Sequence, residues 1–223
     1  MKRTSLTLSS LLLMPLAFAQ AADSLHVLET AIGGLQPGSV VEVADGEYKA
    51  TRQICIEGKR GTAEVPIILR AEHRGRAVIG GAAGFVLRKC EHLIVEGFVF
   101  TNDADQQAVL LDNCRSVRVT RNTFRLSERA KPRRMEHWVY VIGDRSENNR
   151  IDHNLFERKV NSGSHVFVRG DDTALVCSRQ DRIDHNHFRE VVFADGENGH
   201  ETIRTGSNDL GATGRSSFTI IEE

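Results

Sequence analysis

The sequence predicts an all-β fold: a right-handed single-stranded parallel β-helix, incomplete at its C-terminal end. Three observations carry this. A short motif recurs as Val119-Thr120-Arg121-Asn122-Thr123-Phe124, Ile151-Asp152-His153-Asn154-Leu155-Phe156 and Ile183-Asp184-His185-Asn186-His187-Phe188, after a looser copy, Val95-Glu96-Gly97-Phe98-Val99-Phe100. Its phenylalanines, at 100, 124, 156 and 188, lie 24, 32 and 32 residues apart, spacings that suit a solenoid. Cys90 and Cys114 each stand ten residues before such a phenylalanine, so one register stacks them in adjacent turns.

The motif makes physical sense as one turn of a coil. A β-branched residue sits in a short strand, a polar turn contains Asn, and an aromatic follows. Asn tolerates the left-handed backbone that a sharp bend needs. A column of Asn lets each amide bond the amide of the next turn, and the phenylalanines stack inside the same coil. Unequal spacing places loops of different length at one corner. A helical solenoid fits less well, because the periodic segments alternate over a few residues and are rich in Val, Ile and Thr. The cysteine column reads either as a disulfide or as small buried residues; strands about 4.8 Å apart and strict disulfide geometry leave both open.

Taken in order, Met1 to Ala22 reads as a signal peptide. Lys2 and Arg3 form its charged start, Leu6 to Phe18 its apolar stretch, and Ala19-Gln20-Ala21 the small-x-small cleavage pattern. The alternative is a buried N-terminal helix. The mature chain, residues 23–223, is then the N-terminal portion of one β-helix domain, periplasmic or secreted. Leu25 to Leu35 predicts a short helix stopped by Gly33, Gly34 and Pro37. Ser39 to Tyr48 predicts a strand with an Asp-Gly turn, and together with the helix it caps the first open coil. Val65 to Arg70 and Ala77 to Ile79 are further strands.

The chain has 223 residues and a formal net charge of -1. That length suits one domain. The balance gives no reason to expect nucleic acid, and no later segment is apolar enough to cross a membrane. A local basic groove for an anionic polysaccharide remains compatible with it. Four cysteines fit an oxidising compartment and no zinc spacing.

Chemistry concentrates in Asp195-Gly196-Glu197-Asn198-Gly199-His200-Glu201-Thr202-Ile203-Arg204-Thr205-Gly206. Strand alternation sets Glu201 and Ile203 on one face, Thr202 and Arg204 on the other. Oxygens of Asn198, Glu197 or Glu201 suit a hard cation such as calcium, and Arg204 suits a substrate carboxylate. The bland reading is a Gly-rich surface turn with solvated charges.

Here the chain resembles a known family. The Asn-Gly-x-Glu-Thr-Ile-Arg run at 198–204, after turns of the Ile-x-x-Asn-x-Phe type and the strand Ala44-Asp45-Gly46-Glu47-Tyr48, is similar to the lyases that include chondroitinase B and alginate lyases, polysaccharide lyase family six. The resemblance covers Leu25 to Glu223. It implies β-elimination on a uronic-acid polymer, alginate (polymannuronate) before a glycosaminoglycan, with a calcium ion neutralising the substrate carboxylate. It also implies a lysine base and an arginine assisting the leaving oxygen. Carried over by position, Asn198 matches the family's asparagine ligand; with the reading from residue types, the metal candidates are Asn198 and Glu201, and the substrate-binding candidates are Arg204 and His200. The family's Glu-x-Glu pair, lysine and arginine fall beyond this sequence. Ile221-Glu222-Glu223 match Ile151-Asp152-His153 and stop where Asn-x-Phe should follow. The expectation is therefore a truncated, inactive fragment of a lyase with its catalytic residues unassigned. The competing readings are a non-catalytic polysaccharide-binding β-helix, and an unrelated β-helix hydrolase or adhesin.

Other residues carry weaker signals. His153 and His185 read as a stacked polar ladder before a metal pair. Asp171 and Asp172 read as a solvated turn before an acid–base pair. Lys131 and Lys159 read as surface lysines. Arg129, Lys131, Arg133 and Arg134 form a basic run in a long connection, which lines a groove or lies exposed. Trp138 and Tyr140 either stack on a sugar or fill the core.

Overall fold

The computed structural model describes residues 19–22, 24–82, 84–103, 106–127, 137–160, 163–169, 179–190, 201–206 and 220–222. Strand β1 (Ala19–Ala22) and helix α1 (Leu25–Gly33) come first. Six coils of three strands follow: β2 (Val40–Val43), β3 (Gly46–Ala50) and β4 (Ile54–Glu57); β5 (Ile67–Ala71), β6 (Ala77–Gly81) and β7 (Phe85–Arg88); β8 (Leu93–Glu96), β9 (Val99–Phe100) and β10 (Val109–Asp112). Then come β11 (Arg118–Thr120), β12 (Thr123–Phe124) and β13 (Val139–Ile142); β14 (Arg150–Asp152), β15 (Leu155–Glu157) and β16 (Val166–Arg169); β17 (Arg182–Asp184), β18 (His187–Arg189) and β19 (Ile203–Gly206). Strand β20 (Ile220–Glu222) opens a seventh.

The first strand of every coil joins sheet A, in the order β1-β2-β5-β8-β11-β14-β17-β20. The second strands form sheet B, from β3 to β18, and the third strands sheet C, from β4 to β19. Every pairing is parallel and joins one coil to the next, as in Val119↔Ile151↔Ile183↔Ile221. This is the predicted right-handed parallel β-helix. The single strand expected over 39–48 divides at its Asp-Gly turn into β2 and β3, because the chain must leave sheet A for sheet B there.

Helix α1 caps the first coil as expected. Ser24 Oγ accepts the Val27 N–H at 3.3 Å, and Leu28, Ala31 and Ile32 bury against the open end. The Lys59 ammonium donates to the Gly33 carbonyl at 2.6 Å, where the helix leaves carbonyls free. Residues 19–22, assigned by sequence to the signal segment, run parallel to β2. Among the described residues no helix is long and apolar enough to cross a membrane.

Inside, the expected columns are present. Phe100, Phe124, Phe156 and Phe188 stack with centroids 5.0, 4.6 and 4.9 Å apart and planes within 11°. The Asn column runs Asn122, Asn154, Asn186. Each Oδ1 accepts from the previous coil: Asn154 Oδ1 takes the Asn122 backbone N–H at 2.9 Å and its amide at 3.2 Å, and Asn186 Oδ1 takes the same groups of Asn154 at 3.0 Å. One expectation is corrected. The left-handed residue at this bend is not the Asn but the one before it: Gly97 (φ 82), Arg121 (φ 55), His153 (φ 55) and His185 (φ 54). The bend must turn the Asn amide inward, where it pairs backbone groups that burial would otherwise orphan.

The cysteine column proves to be two free, fully buried thiols. Cys90 Sγ donates to the Ile56 carbonyl at 3.2 Å and Cys114 Sγ to the Leu87 carbonyl at 3.3 Å. The neighbouring Cys90 sulfur and burial push the Cys114 thiol up. His153 and His185 form the ladder read from sequence, with rings 4.8 Å apart and 1° from parallel. Beside them Arg118 grips Asp152, and Arg150 grips Asp184, each through two hydrogen bonds of 2.5–2.9 Å. Connections of unequal length leave two corners rather than one: from sheet B to sheet C after β12, β15 and β18, and from sheet C to sheet A after β13, β16 and β19.

Candidate active site

Glu201 and Arg204 lie just before and at the start of β19, so the candidate site lies where sheet B passes to sheet C in the last coils. Neighbouring strands there align Val139↔Val166↔Ile203 and Tyr140↔Phe167↔Arg204. Alternation turns the first set inward and the second outward. Tyr140 and Phe167 stack at 5.2 Å, and the Arg204 guanidinium lies 5.3 Å from the Phe167 ring centre. The aromatic surface fixes where Arg204 sits. Glu201 reaches Arg204 at 3.6 Å. The two-residue alternation had separated them onto opposite faces. Strand β19 begins only at Ile203, so the period does not extend back to Glu201.

Just ahead of the strands, the same register stacks His137 with Ser164, and Trp138 with His165. The Ser164 N–H donates to His137 Nδ1 at 3.1 Å, and the Ser164 hydroxyl meets the same nitrogen at 2.9 Å. Nδ1 is thus the acceptor and the proton sits on Nε2. Trp138 and His165 are each 1% exposed. His165 meets Trp138 edge-on and lies against Phe156 and Phe188. Neither of its nitrogens, nor the Trp138 indole nitrogen, has a hydrogen-bond partner among the described residues.

Lys159 requires a correction. It is not a surface lysine but 1% exposed, its ammonium 5.7 Å from the centre of the Trp138 ring. Just past β15 the side chain turns inward, where a cation–π contact receives the charge. That charge shapes its neighbours. Burial, then Lys159 and Arg204, push His137 down to about 4, with Glu201 opposing. Burial and Lys159 push His165 down to about 3. Both imidazoles are neutral near pH 7, and the corner is electropositive.

Of the residues singled out by sequence, Glu201 and Arg204 come together here. Asn198, His200, Glu197, Lys131, Asp171, Asp172 and the basic run at 129–134 lie outside the described residues. Trp138 fills the core, and Tyr140 joins the outward aromatic column. His137, Ser164, His165 and Phe167 were not recognised in the sequence. Counting back from Val139 and Val166 in strand register finds them, but only once the coil boundaries are known. Among the described residues, the one trio of side chains spaced to hold a cation is Asp45, Glu72 and His73. They are exposed and stand between sheets A and B in the first two coils, a different corner from Glu201.

Comparison with curated proteins finds no match to the chain. The family profile described as chondroitinase B matches residues 22–220. Among solved structures, a PL6 family alginate lyase superposes with a TM-score of 0.70 at 26% identity, over 85% of this chain and 26% of that one. A mannuronic acid specific family 6 lyase from human gut microbiota gives 0.64 at 25%, over 91% and 51%. A PL6 family lyase from Pseudopedobacter saltans, at 18% identity and a TM-score of 0.61, shares the fold over 91% of this chain and 46% of its own. The chain spans about a quarter to about half the length of these structures. With its profile match running through six coils of parallel β-helix, the chain belongs to the chondroitinase B family.

Proposed function

We propose that the whole protein is a polysaccharide lyase that cleaves a uronic-acid polymer, polymannuronate-type alginate in particular, by calcium-assisted β-elimination outside the cytoplasm. The observation that carries this reading is the family match over residues 22–220. Likeness to a lyase whose name specifies mannuronic acid favours the substrate.

Glu201 fits a calcium ligand: its carboxylate is 42% exposed, and Arg204 holds it only at 3.6 Å, beyond hydrogen-bond length. Asn198, outside the described residues, would supply a second oxygen. When bound, calcium neutralises the uronate carboxylate and makes the adjacent C–H more acidic. In the elimination that C–H proton leaves, its electron pair forms the ring double bond, and the C–O bond to the glycosidic oxygen breaks. Arg204, seated on Phe167, would pair with the incoming carboxylate, with His200 beside it. Lys159 is sealed from solvent, and its charge adds to the burial that keeps His137 and His165 neutral. The proton-abstracting base is assigned to no residue of this chain.

The test uses the product of the gene's complete reading frame on polymannuronate. The expected result is a rising ultraviolet absorbance from unsaturated chain ends, abolished by a calcium chelator and restored by calcium. Arg204→Ala should lower kcat/KM by about 10- to 150-fold, from the roughly 1.5–3 kcal/mol of a charge-assisted hydrogen bond. No absorbance change on any polyuronate would overturn the reading.

A further inference from the structure

A second polar groove lies where sheet C passes to sheet A. Arg60, Glu91, Arg115, Glu147 and Arg179 stand there in one column, bridged rung to rung by backbone pairing. Glu91 is held by Arg60 at 3.7 Å and Glu147 by Arg115 at 3.3 Å. Beside the column opens a cavity of about 370 Å³ that Lys89, Asn113, Asp144, Arg145 and Ser146 also line. Both carboxylates of the column face an arginine, whereas Arg145 and Arg179 make no ion pair with any described residue.

The local backbone builds this groove. Gly143 takes φ 97, and a Cβ there would come within 2.6 Å of the Asn113 side chain. Only glycine lets the 143–146 turn fold down over Asn113. Asn113 Oδ1 then accepts the Arg145 N–H at 3.1 Å, and the Ser146 carbonyl accepts the Arg179 N–H at 3.1 Å. Both free guanidiniums therefore rise from fixed backbone.

We propose that this groove is a second, non-catalytic binding site for a polyuronate chain lying along the helix axis; the choice of uronate rests on the lyase reading above. Five rungs span about 19 Å at the usual strand spacing, room for several sugar rings. Among the described residues no aromatic side chain lines the groove, so these residues select charge and hydroxyls rather than ring faces. Arg145 and Arg179 take carboxylates, and Asp144 accepts from hydroxyls. The groove holds the polymer while the other corner handles it, which raises the local concentration of substrate.

Affinity electrophoresis of the whole protein in gels containing polymannuronate tests this. Wild type should be retarded, with retardation lost as salt rises. Arg145→Gln/Arg179→Gln should weaken binding at least tenfold with its circular dichroism unchanged, and Arg145→Lys/Arg179→Lys should keep part of the retardation. Unchanged mobility shift in the Gln pair, equal retardation by a neutral 1,4-linked glycan, or tighter binding of inorganic polyphosphate would overturn the proposal. Elimination activity measured on the same proteins separates the two readings. Retained cleavage without groove binding sinks the groove alone. Groove binding without cleavage sinks the lyase alone.

Discussion

Asn154 is the residue on which the internal ladder can be tested most directly. Its side chain is 2% exposed. It accepts the Asn122 N–H at 2.9 Å and donates to the Val119 carbonyl at 2.9 Å. Asn154→Ala removes both partners without opening a path for water. The Asn122 amide keeps its bond to the Val95 carbonyl at 3.1 Å, and Asn186 Oδ1 keeps the Asn154 N–H at 3.0 Å. Two backbone groups are therefore orphaned. At about 1–3 kcal/mol each, the loss is about 2–6 kcal/mol, comparable with the net stability of many domains. For a chain of this size the melting temperature should fall by on the order of 10 °C. Urea unfolding followed by fluorescence and circular dichroism measures the loss, with two probes because a solenoid need not unfold in one step. Hydrogen exchange at the Asn122 amide reads the bond itself. A cost below about 1 kcal/mol, with that amide still protected, would show that the ladder accompanies the fold without holding it.

Two further outcomes follow from the buried groups. His165 is held neutral, pushed down to about 3, whereas an unfolded histidine titrates near about 6.5. Between those values the unfolded chain binds more protons, so its contribution is present above about pH 6.5 and is lost as pH falls toward 3. His165→Phe should flatten the melting temperature against pH across that window; an unchanged slope would mean the imidazole is not buried neutral. Cys55 is exposed while Cys90 and Cys114 are buried. Peptide mapping after maleimide treatment should therefore find label on Cys55 in the native protein, and on Cys90 and Cys114 only after denaturation. Native labelling of Cys114 would contradict the thiol column.

The repeat was legible because it is periodic and one-dimensional. Phe100 to Phe188 fixed the register of sheet B, and matching Ile221-Glu222 to Ile151-Asp152 placed β20 beside β17, as its pairing shows. The helix expected over 25–35 announced itself through its Gly33-Gly34 stop and ends at Gly33; its Ser24 cap was seen only in the structure. The left-handed position was misplaced by one residue because Asn carries two signals, tolerance of that conformation and capacity for a ladder, and the interior uses the second. Lys159 was misread for a related reason. A lysine outside any repeat has no periodic marker of burial, and burial came from the Trp138 ring of the preceding coil. Glu201 and Arg204 were singled out by residue type, but their ion pair depended on where β19 begins. The basic groove was invisible because Arg60, Glu91, Arg115, Glu147 and Arg179 are far apart in the chain. By itself the sequence determined the coil, its stacked interior and the family it belongs to, since those follow from spacings that repeat along the chain. Only the tertiary structure decided which charges are sealed inside and which line a groove, because burial is set by what neighbouring coils and loops place over a residue.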